Sequence, residues 1–530
     1  MRREAMLQRL RERFAAQIPW DIAVVGGGAT GMGVAVDAAA RGLSVALVEA
    51  HDFGKGTSSR STKLVHGGVR YLEQGNIPLV MSALKERGLL RRNAPHLVHD
   101  LAFVVPNYSW WEAPFYGIGL KLYDLLAGKY GFGPSKLLSR EETLERLPGL
   151  EPEGLLGGVV YYDGQFDDSR LLIHLAMTAV DLGATVVNYC PATGFTRDAG
   201  GYVDGVTALD TETGEELALP ARIVVNATGV FTDQVRRMAD PGVEPLMVSS
   251  QGIHLVFDRS FLKGDTALMV PRTSDGRILF VIPWHGHAVA GTTDTPVDAP
   301  TLEPRPLQAE IDFILETAGR YLTRPPTRRD VLAVYVGLRP LVKGEGKTST
   351  LSRDHVIHVD GSGLLTITGG KWTTYRHMAE DCVDHAITLG RLPDLDCATK
   401  NLHIHGYVED AASDPAAGLS SDVDEHMAVY GADAAAIHAL ARDPVLGARL
   451  HPALPYTAAE VVWAAREEMA RTVEDALARR TRALFLNAAA AASMAEQCAS
   501  LLAAELDRDE EWVTKQVSDF CALAEQYKVM

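Results

Sequence analysis

The run Asp21-Ile-Ala-Val-Val-Gly26-Gly27-Gly28-Ala29-Thr30-Gly31, followed by an acid at Glu49, constrains this chain more than any other feature. Residues 22–25 predict an apolar strand, the alanine-rich stretch to about residue 41 a helix, and residues 43–48 a second strand that ends on the acid. A Gly-x-Gly-x-x-Gly turn between strand and helix is the setting in which a glycine fingerprint means dinucleotide binding. Gly26 makes the tight turn, Gly28 places no side chain before a pyrophosphate, and Gly31 lets the helix lie close on the sheet. The helix N-terminus, from Ala29 and Thr30 onward, offers free N–H groups and the positive end of its dipole to the phosphates. Glu49 is suited to accept hydrogen bonds from a ribose, which favours an unphosphorylated 2′-hydroxyl over the phosphate of NADP.

The chain has 530 residues, enough for several domains and a large core. A net charge of −17 argues against a nucleic-acid partner, so an anionic substrate must be met by a local cluster of cations. The five cysteines are scattered without a CxxC pair; neither a metal site nor a disulfide framework is expected, and the odd count fits a reducing compartment. Residues 1–17 carry five arginines and two glutamates without an apolar signal core, and residues 483–504 are interrupted by Asn487, Glu496 and Gln497. A cytoplasmic protein is therefore expected, peripheral to the cytoplasmic face of a membrane at most. The basic N-terminal stretch, or Trp110, Trp111 and residues 115–126, would make that membrane contact; core packing accounts for the tryptophan stretch equally well.

Nucleotide-binding signals recur far apart. Residues 221–226 predict a buried strand leading into Ala-Thr228-Gly229, and residues 364–368 one leading into Gly369-Gly370-Lys371 and a helix to about 387. A nucleotide domain assembled from such distant segments favours FAD over NAD. The expected fold is α/β: a discontinuous Rossmann-like FAD domain interleaved with an antiparallel substrate domain over residues 18–400, then an α-helical domain over 401–530. In the latter, Thr457-Ala-Ala-Glu460 is a capping box before an apolar periodic run. That domain offers a surface for a partner or a second copy, and a homodimer is expected.

Further motifs follow in a definite order: Thr57-Ser58-Ser59-Arg-Ser-Thr62-Lys63-Leu-Val-His66-Gly67-Gly68-Val-Arg70-Tyr71, Gly252-Ile-His254, Val281-Ile-Pro-Trp284, Gly291-Thr-Thr-Asp294, Gly337-Leu-Arg339-Pro, Ser352-Arg353-Asp354 and Gly370-Lys371-Trp-Thr373-Thr374-Tyr-Arg376. The series resembles the FAD-dependent glycerol-3-phosphate dehydrogenases, within the D-amino-acid-oxidase-like flavoproteins. It covers about residues 18–400, with a weaker echo at 475–482. Gln251 stands where the family usually has a basic residue, and Trp372 where it often has leucine. The long insertion of the oxygen-using oxidases is not evident.

The resemblance implies oxidation of sn-glycerol 3-phosphate to dihydroxyacetone phosphate, with electrons passed to a membrane quinone. Such a reaction needs a hydride acceptor, a base and a phosphate clamp. No side chain accepts hydride, so the acceptor is the flavin. Guanidinium forks match phosphate oxygens, which makes Arg70, Arg339 and Arg353 the expected clamp, joined by Tyr71 and Thr374. His254 is the leading base, with Arg339 and Lys371 as competing stabilisers of the developing alkoxide. Thr57, Ser58, Ser59, His66, Gly67, Gly68, Thr228, Gly229, Gly370, Lys371 and Thr373 complete the expected cofactor contacts. The alternatives are an oxidase using oxygen, an amine or amino-acid oxidase on the same fold, and a flavin-binding protein without turnover.

Overall fold

The computed structural model describes residues 1–530 except 74, 275, 345–353, 410–425 and 530, and leaves the side chains of Arg70 and Glu73 undescribed. Two sheets organise it. The first is eight-stranded, and its core runs in the order His355–Val359, Leu365–Gly369, Glu216–Asn226, Trp20–Val25, Val45–Val48, Thr185–Val187. The fingerprint strand Trp20–Val25 is parallel to both neighbours, pairing Val24 with Val225 and with Leu47. Helices cover it: Ala29–Ala40 meets Tyr375–Gly390 and Asp168–Asp181. A parallel strand covered on both faces is apolar at successive positions rather than alternate ones, which is why the sequence shows a continuous run there. Ile22, Ala23, Val24 and Val25 are all buried. This domain draws strands from residue 20 to residue 369, the discontinuity expected from the scattered motifs.

The second sheet has ten strands and is mostly antiparallel. Its central strand Met247–Asp258 lies between Val331–Val342 and His287–Gly291, and in that register His254 sits beside Tyr335 on one side and Gly291 on the other. The strand carrying Arg339 is longer than its sequence suggests. It continues through Pro340, which faces Ser249, instead of ending near residue 336.

Beyond residue 401 the named elements are helical, and the capping box forms as expected, with the Thr457 amide donating to Glu460. The region is tied to the nucleotide domain by buried ions. Arg479 and Arg480 both donate to Asp52, Arg482 meets Asp167, and Arg170 pairs with Glu468. Breaking one such pair strands a buried charge, which costs far more than a surface pair is worth. The weak echo at 475–482 is thus a set of structural arginines.

The basic N-terminal stretch forms the helix Arg3–Ala15, but it is folded onto the protein. Met6, Leu7 and Leu10 join the main core, each contributing about 1.5–3 kcal/mol by burial. Arg3 and Arg11 are neutralised locally by Asp210 and Glu215, and Arg13 lies over the Trp20 ring. Among the described residues no helix is long and apolar enough to cross a membrane.

Candidate active site

A cavity of about 640 Å³ runs along the carboxyl edge of the parallel sheet and continues to the second sheet. The fingerprint turn forms one wall. Gly26 has φ 110°, and a Cβ on Gly31 would lie 1.9 Å from the Gly26 carbonyl oxygen, so helix and turn touch backbone to backbone. Gly26, Gly28, Ala29 and Thr30 line the cavity, whereas Gly27 packs against Glu49 and Phe53. The Ser58 hydroxyl accepts from the Ala29 N–H at 3.0 Å, leaving its own proton for a phosphate oxygen. Glu49 lines the cavity while accepting from the amides of Gly27 (2.6 Å) and His51 (2.9 Å), so it fixes the turn as well as presenting a carboxylate to the cavity. Burial nonetheless pushes its carboxyl above the usual carboxylate range.

Beside Glu49 the wall turns apolar at Pro191, Ala192, Phe231 and Val235, a slot suited to a flat base. Thr228 and Gly229 follow the strand Glu216–Asn226 into the lining. At the far end Gly369 and Gly370, at φ 80° and 73°, turn the strand Leu365–Gly369 into a 3-10 turn (Trp372–Thr374) and then the helix Tyr375–Gly390. That helix start and Lys371 favour negative charge where they face the cavity. Open amides at one helix start, a carboxylate, an apolar slot and a positive helix end fit FAD in that order.

The residues expected to carry chemistry converge on the far half. His254, Arg339, Lys371, Tyr71, His66, Thr57 and Thr373 all line this cavity. His254 is buried, stacks on Tyr335 at 4.8 Å between ring centres, and has its Nε2 2.9 Å from the Thr62 hydroxyl. Gly291 makes room for it, since a Cβ there would come within 2.2 Å of the imidazole. Burial first, then Lys63 and Arg339, hold His254 well below its ordinary pKa, so the ring is neutral at physiological pH. Arg339 donates to Asp294 (3.2 Å), Thr292 (3.1 Å) and the carbonyls of Gln251 (3.2 Å) and Thr293 (2.8 Å). The Gly-Thr-Thr-Asp block therefore serves as its holder. The Lys371 ammonium lies 3.9 Å above the Tyr71 ring.

Other expected residues lie elsewhere. Ser59 and Gly67 are buried off the cavity lining, Gly68 lines only the second pocket described below, and Thr374 bonds its hydroxyl to the Lys371 carbonyl. Arg70 sits on the helix Val69–Glu73, its side chain undescribed, and Arg353 falls outside the described residues. The two unusual residues are accommodated. Gln251 donates to Glu310 and the Arg305 carbonyl, and Trp372 donates to the Ser58 carbonyl.

A smaller pocket of about 190 Å³ shares Thr62, His66, Tyr71 and Arg339 with the first and adds Arg277, Thr292 and Asp294. Arg277 and Thr62 had no assigned role in the sequence; Thr62 falls within one of the family-like blocks, whereas no sequence signal pointed to Arg277.

The chain matches the family model of FAD-dependent oxidoreductases over residues 21–376 and that of the C-terminal domain of alpha-glycerophosphate oxidase over 367–513. It is 42% identical to the mitochondrial glycerol-3-phosphate dehydrogenase of Arabidopsis thaliana, over 92% of this chain and 83% of that one. With the mitochondrial enzyme of Rattus norvegicus the identity is 41%, over 96% and 73%. The solved structure of glycerol-3-phosphate dehydrogenase from Bacillus halodurans, complexed with FAD, superposes with a TM-score of 0.80 at 30% identity, covering 99% of this chain and 97% of that one. A cofactor cradle of this shape on a chain so similar throughout its length leaves one assignment: the chain belongs to the FAD-dependent glycerol-3-phosphate dehydrogenases.

Proposed function

We propose that this chain oxidises sn-glycerol 3-phosphate at C2 to dihydroxyacetone phosphate and passes the electrons to a quinone at a membrane surface. The observation that carries the reading is that a neutral, buried histidine and two cations, Arg339 and Lys371, share one wall of the cofactor cavity. FAD, when bound, supplies the acceptor for the hydride leaving C2.

His254 takes the proton of the C2 hydroxyl; Thr62, on the same cavity, holds the Nε2 edge and fixes the ring. Arg339 and Lys371 stabilise the charge that develops on the oxygen. Arg339 is preorganised for this by Asp294 and Thr292, which stop the guanidinium from swinging. Arg70 and Arg353, with Tyr71, are assigned to the phosphate on sequence grounds.

The membrane part of the proposal is supported by the helix Glu112–Ala127. Its inner face buries Leu120, Tyr123 and Ala127, while Ile118 (74% exposed) and Leu125 (76%) face outward with Phe115 and Leu122, and Trp110 (82%) stands exposed in the turn before it. So large a row of exposed apolar side chains fits insertion at a lipid interface. Flotation with vesicles and reoxidation of the substrate-reduced protein test both halves. Binding that is lost in Ile118→Glu/Leu125→Glu, and rapid reoxidation by a short-chain quinone, are expected. Rapid reoxidation by dioxygen with peroxide formation would make the protein an oxidase instead.

A further inference from the structure

Directly behind His254 lies a charged pair for which the reaction as described has no use. Lys63 is fully buried at φ 62°, and its ammonium meets three acceptors: both oxygens of Asp168 at 2.8 Å and the Ser59 carbonyl at 2.7 Å. Three acceptors satisfy the three N–H bonds of an ammonium, and the rings of Trp284, Tyr335 and Phe485 stand 4.8, 5.0 and 5.3 Å from it. Burial lowers the amine and raises the Asp168 carboxyl, outweighing the attraction between the two, which by itself favours the ion pair. Tyr335 is also the ring that stacks on His254, at 15°. The neighbouring residue, Thr62, holds the imidazole nitrogen. One dipeptide thus reaches the histidine twice, by a hydroxyl and by a charge on Tyr335.

We propose that Lys63, anchored by Asp168, is a positioning residue for the reaction, setting the charge and orientation of His254 through Tyr335 and Thr62. The inference rests on the reading of His254 as the base. The groups facing the imidazole are Thr62 and Lys63 from the segment before the strand Leu64–Val65, Tyr335 and Arg339 from Val331–Val342, and the Gly291 backbone from His287–Gly291. Two of these are cations, and each has an anion on its far side, Asp168 for Lys63 and Asp294 for Arg339. Asp168 faces Lys63 and closes the ion pair, while Ser61 donates to the same carboxylate at 2.7 Å. A base in such a setting stays unprotonated well into acid, and its proton-accepting form is the only one populated at neutral pH.

The test measures anaerobic flavin reduction by sn-glycerol 3-phosphate as a function of pH, with the FAD-loaded protein. The wild type is compared with Lys63→Met/Asp168→Asn, Lys63→Arg and His254→Asn. The rate falls in acid as His254 gains a proton. Removing both buried charges together avoids a stranded Asp168 and moves that acid limb up by about one pH unit. Lys63→Arg keeps the charge and leaves the limb near its wild-type position. A folded, FAD-loaded double variant that is slower at every pH, with an unmoved limb, gives Lys63 a purely structural role and overturns the inference. Full activity in His254→Asn overturns the reading of the base instead. Should the double variant fail to load FAD, titrations of ¹⁵N-histidine-labelled wild type and double variant, both deflavinated, decide. A His254 that gains its proton at higher pH in the double variant is expected, and the same titration in both proteins refutes the proposal.

Discussion

An alanine at position 31 tests whether the fingerprint helix and turn are in backbone contact. The new Cβ would lie 1.9 Å from the Gly26 carbonyl oxygen and 3.1 Å from its carbon. Ordinary contact needs about 3.5 Å, so the two segments must part by roughly 1.5 Å. The helix cannot retreat freely, because at Gly33 its other side already meets Tyr375 and Ala379, where a Cβ would come within 3.0 and 3.3 Å. The turn that faces the pyrophosphate moves instead. Overpacking of this kind costs about 1–3 kcal/mol, and since the displaced element is the phosphate turn, the cost falls on cofactor binding. Gly31→Ala is therefore expected to weaken FAD binding by about 5- to 150-fold. Titrating the deflavinated protein with FAD and following quenching of flavin fluorescence measures this. Gly361→Ala, whose Cβ would meet nothing within 4 Å, is the control and leaves affinity unchanged. Wild-type affinity in Gly31→Ala would refute the close-contact reasoning.

Arg339→Lys keeps the charge but loses the fork held between Asp294 and Thr292, and is expected to lower kcat/KM by about 10²- to 10³-fold in steady-state assays. Asp52→Asn leaves Arg479 and Arg480 facing a neutral group deep in the protein, and is expected to destabilise it by about 3–5 kcal/mol in denaturant unfolding. Burial works against a charge on Asp52, but Arg480 and Arg479 outweigh it and hold the carboxyl at about 2. Its stabilisation is present above the ordinary carboxylate range and disappears as the pH falls toward about 2. His405 behaves oppositely. Burial disfavours its charge, yet Asp181 and Asp433 hold the imidazolium up to about 9. Its stabilisation is complete below about pH 6.5 and is lost as the pH rises through about 9. His405→Asn should therefore flatten the fall in unfolding temperature over that alkaline range.

The nucleotide domain was legible because its signals are local. A parallel strand covered on both faces must be apolar throughout, and the turn Gly26 to Gly31 admits few residues. The convergence of His254, Arg339 and Lys371 was legible only through the order of the blocks, since their strands pair across long separations. What escaped was partner choice. Arg3 and Arg11 read as a basic stretch until folding brings Asp210 and Glu215 to them. Lys63 looked like an ordinary lysine because the acid that anchors it lies 105 residues away. The helix Glu112–Ala127 is apolar on both faces, so periodicity could not say which face turns inward.

The central claim is tested most directly by titrating the purified, FAD-loaded protein with sn-glycerol 3-phosphate under anaerobic conditions while following flavin absorbance. The account predicts bleaching of the oxidised flavin bands at stoichiometric substrate, with dihydroxyacetone phosphate formed in equal amount. A flavin that stays oxidised in folded, loaded protein would contradict it, and the search would turn to amines and other hydroxy acids on the same scaffold.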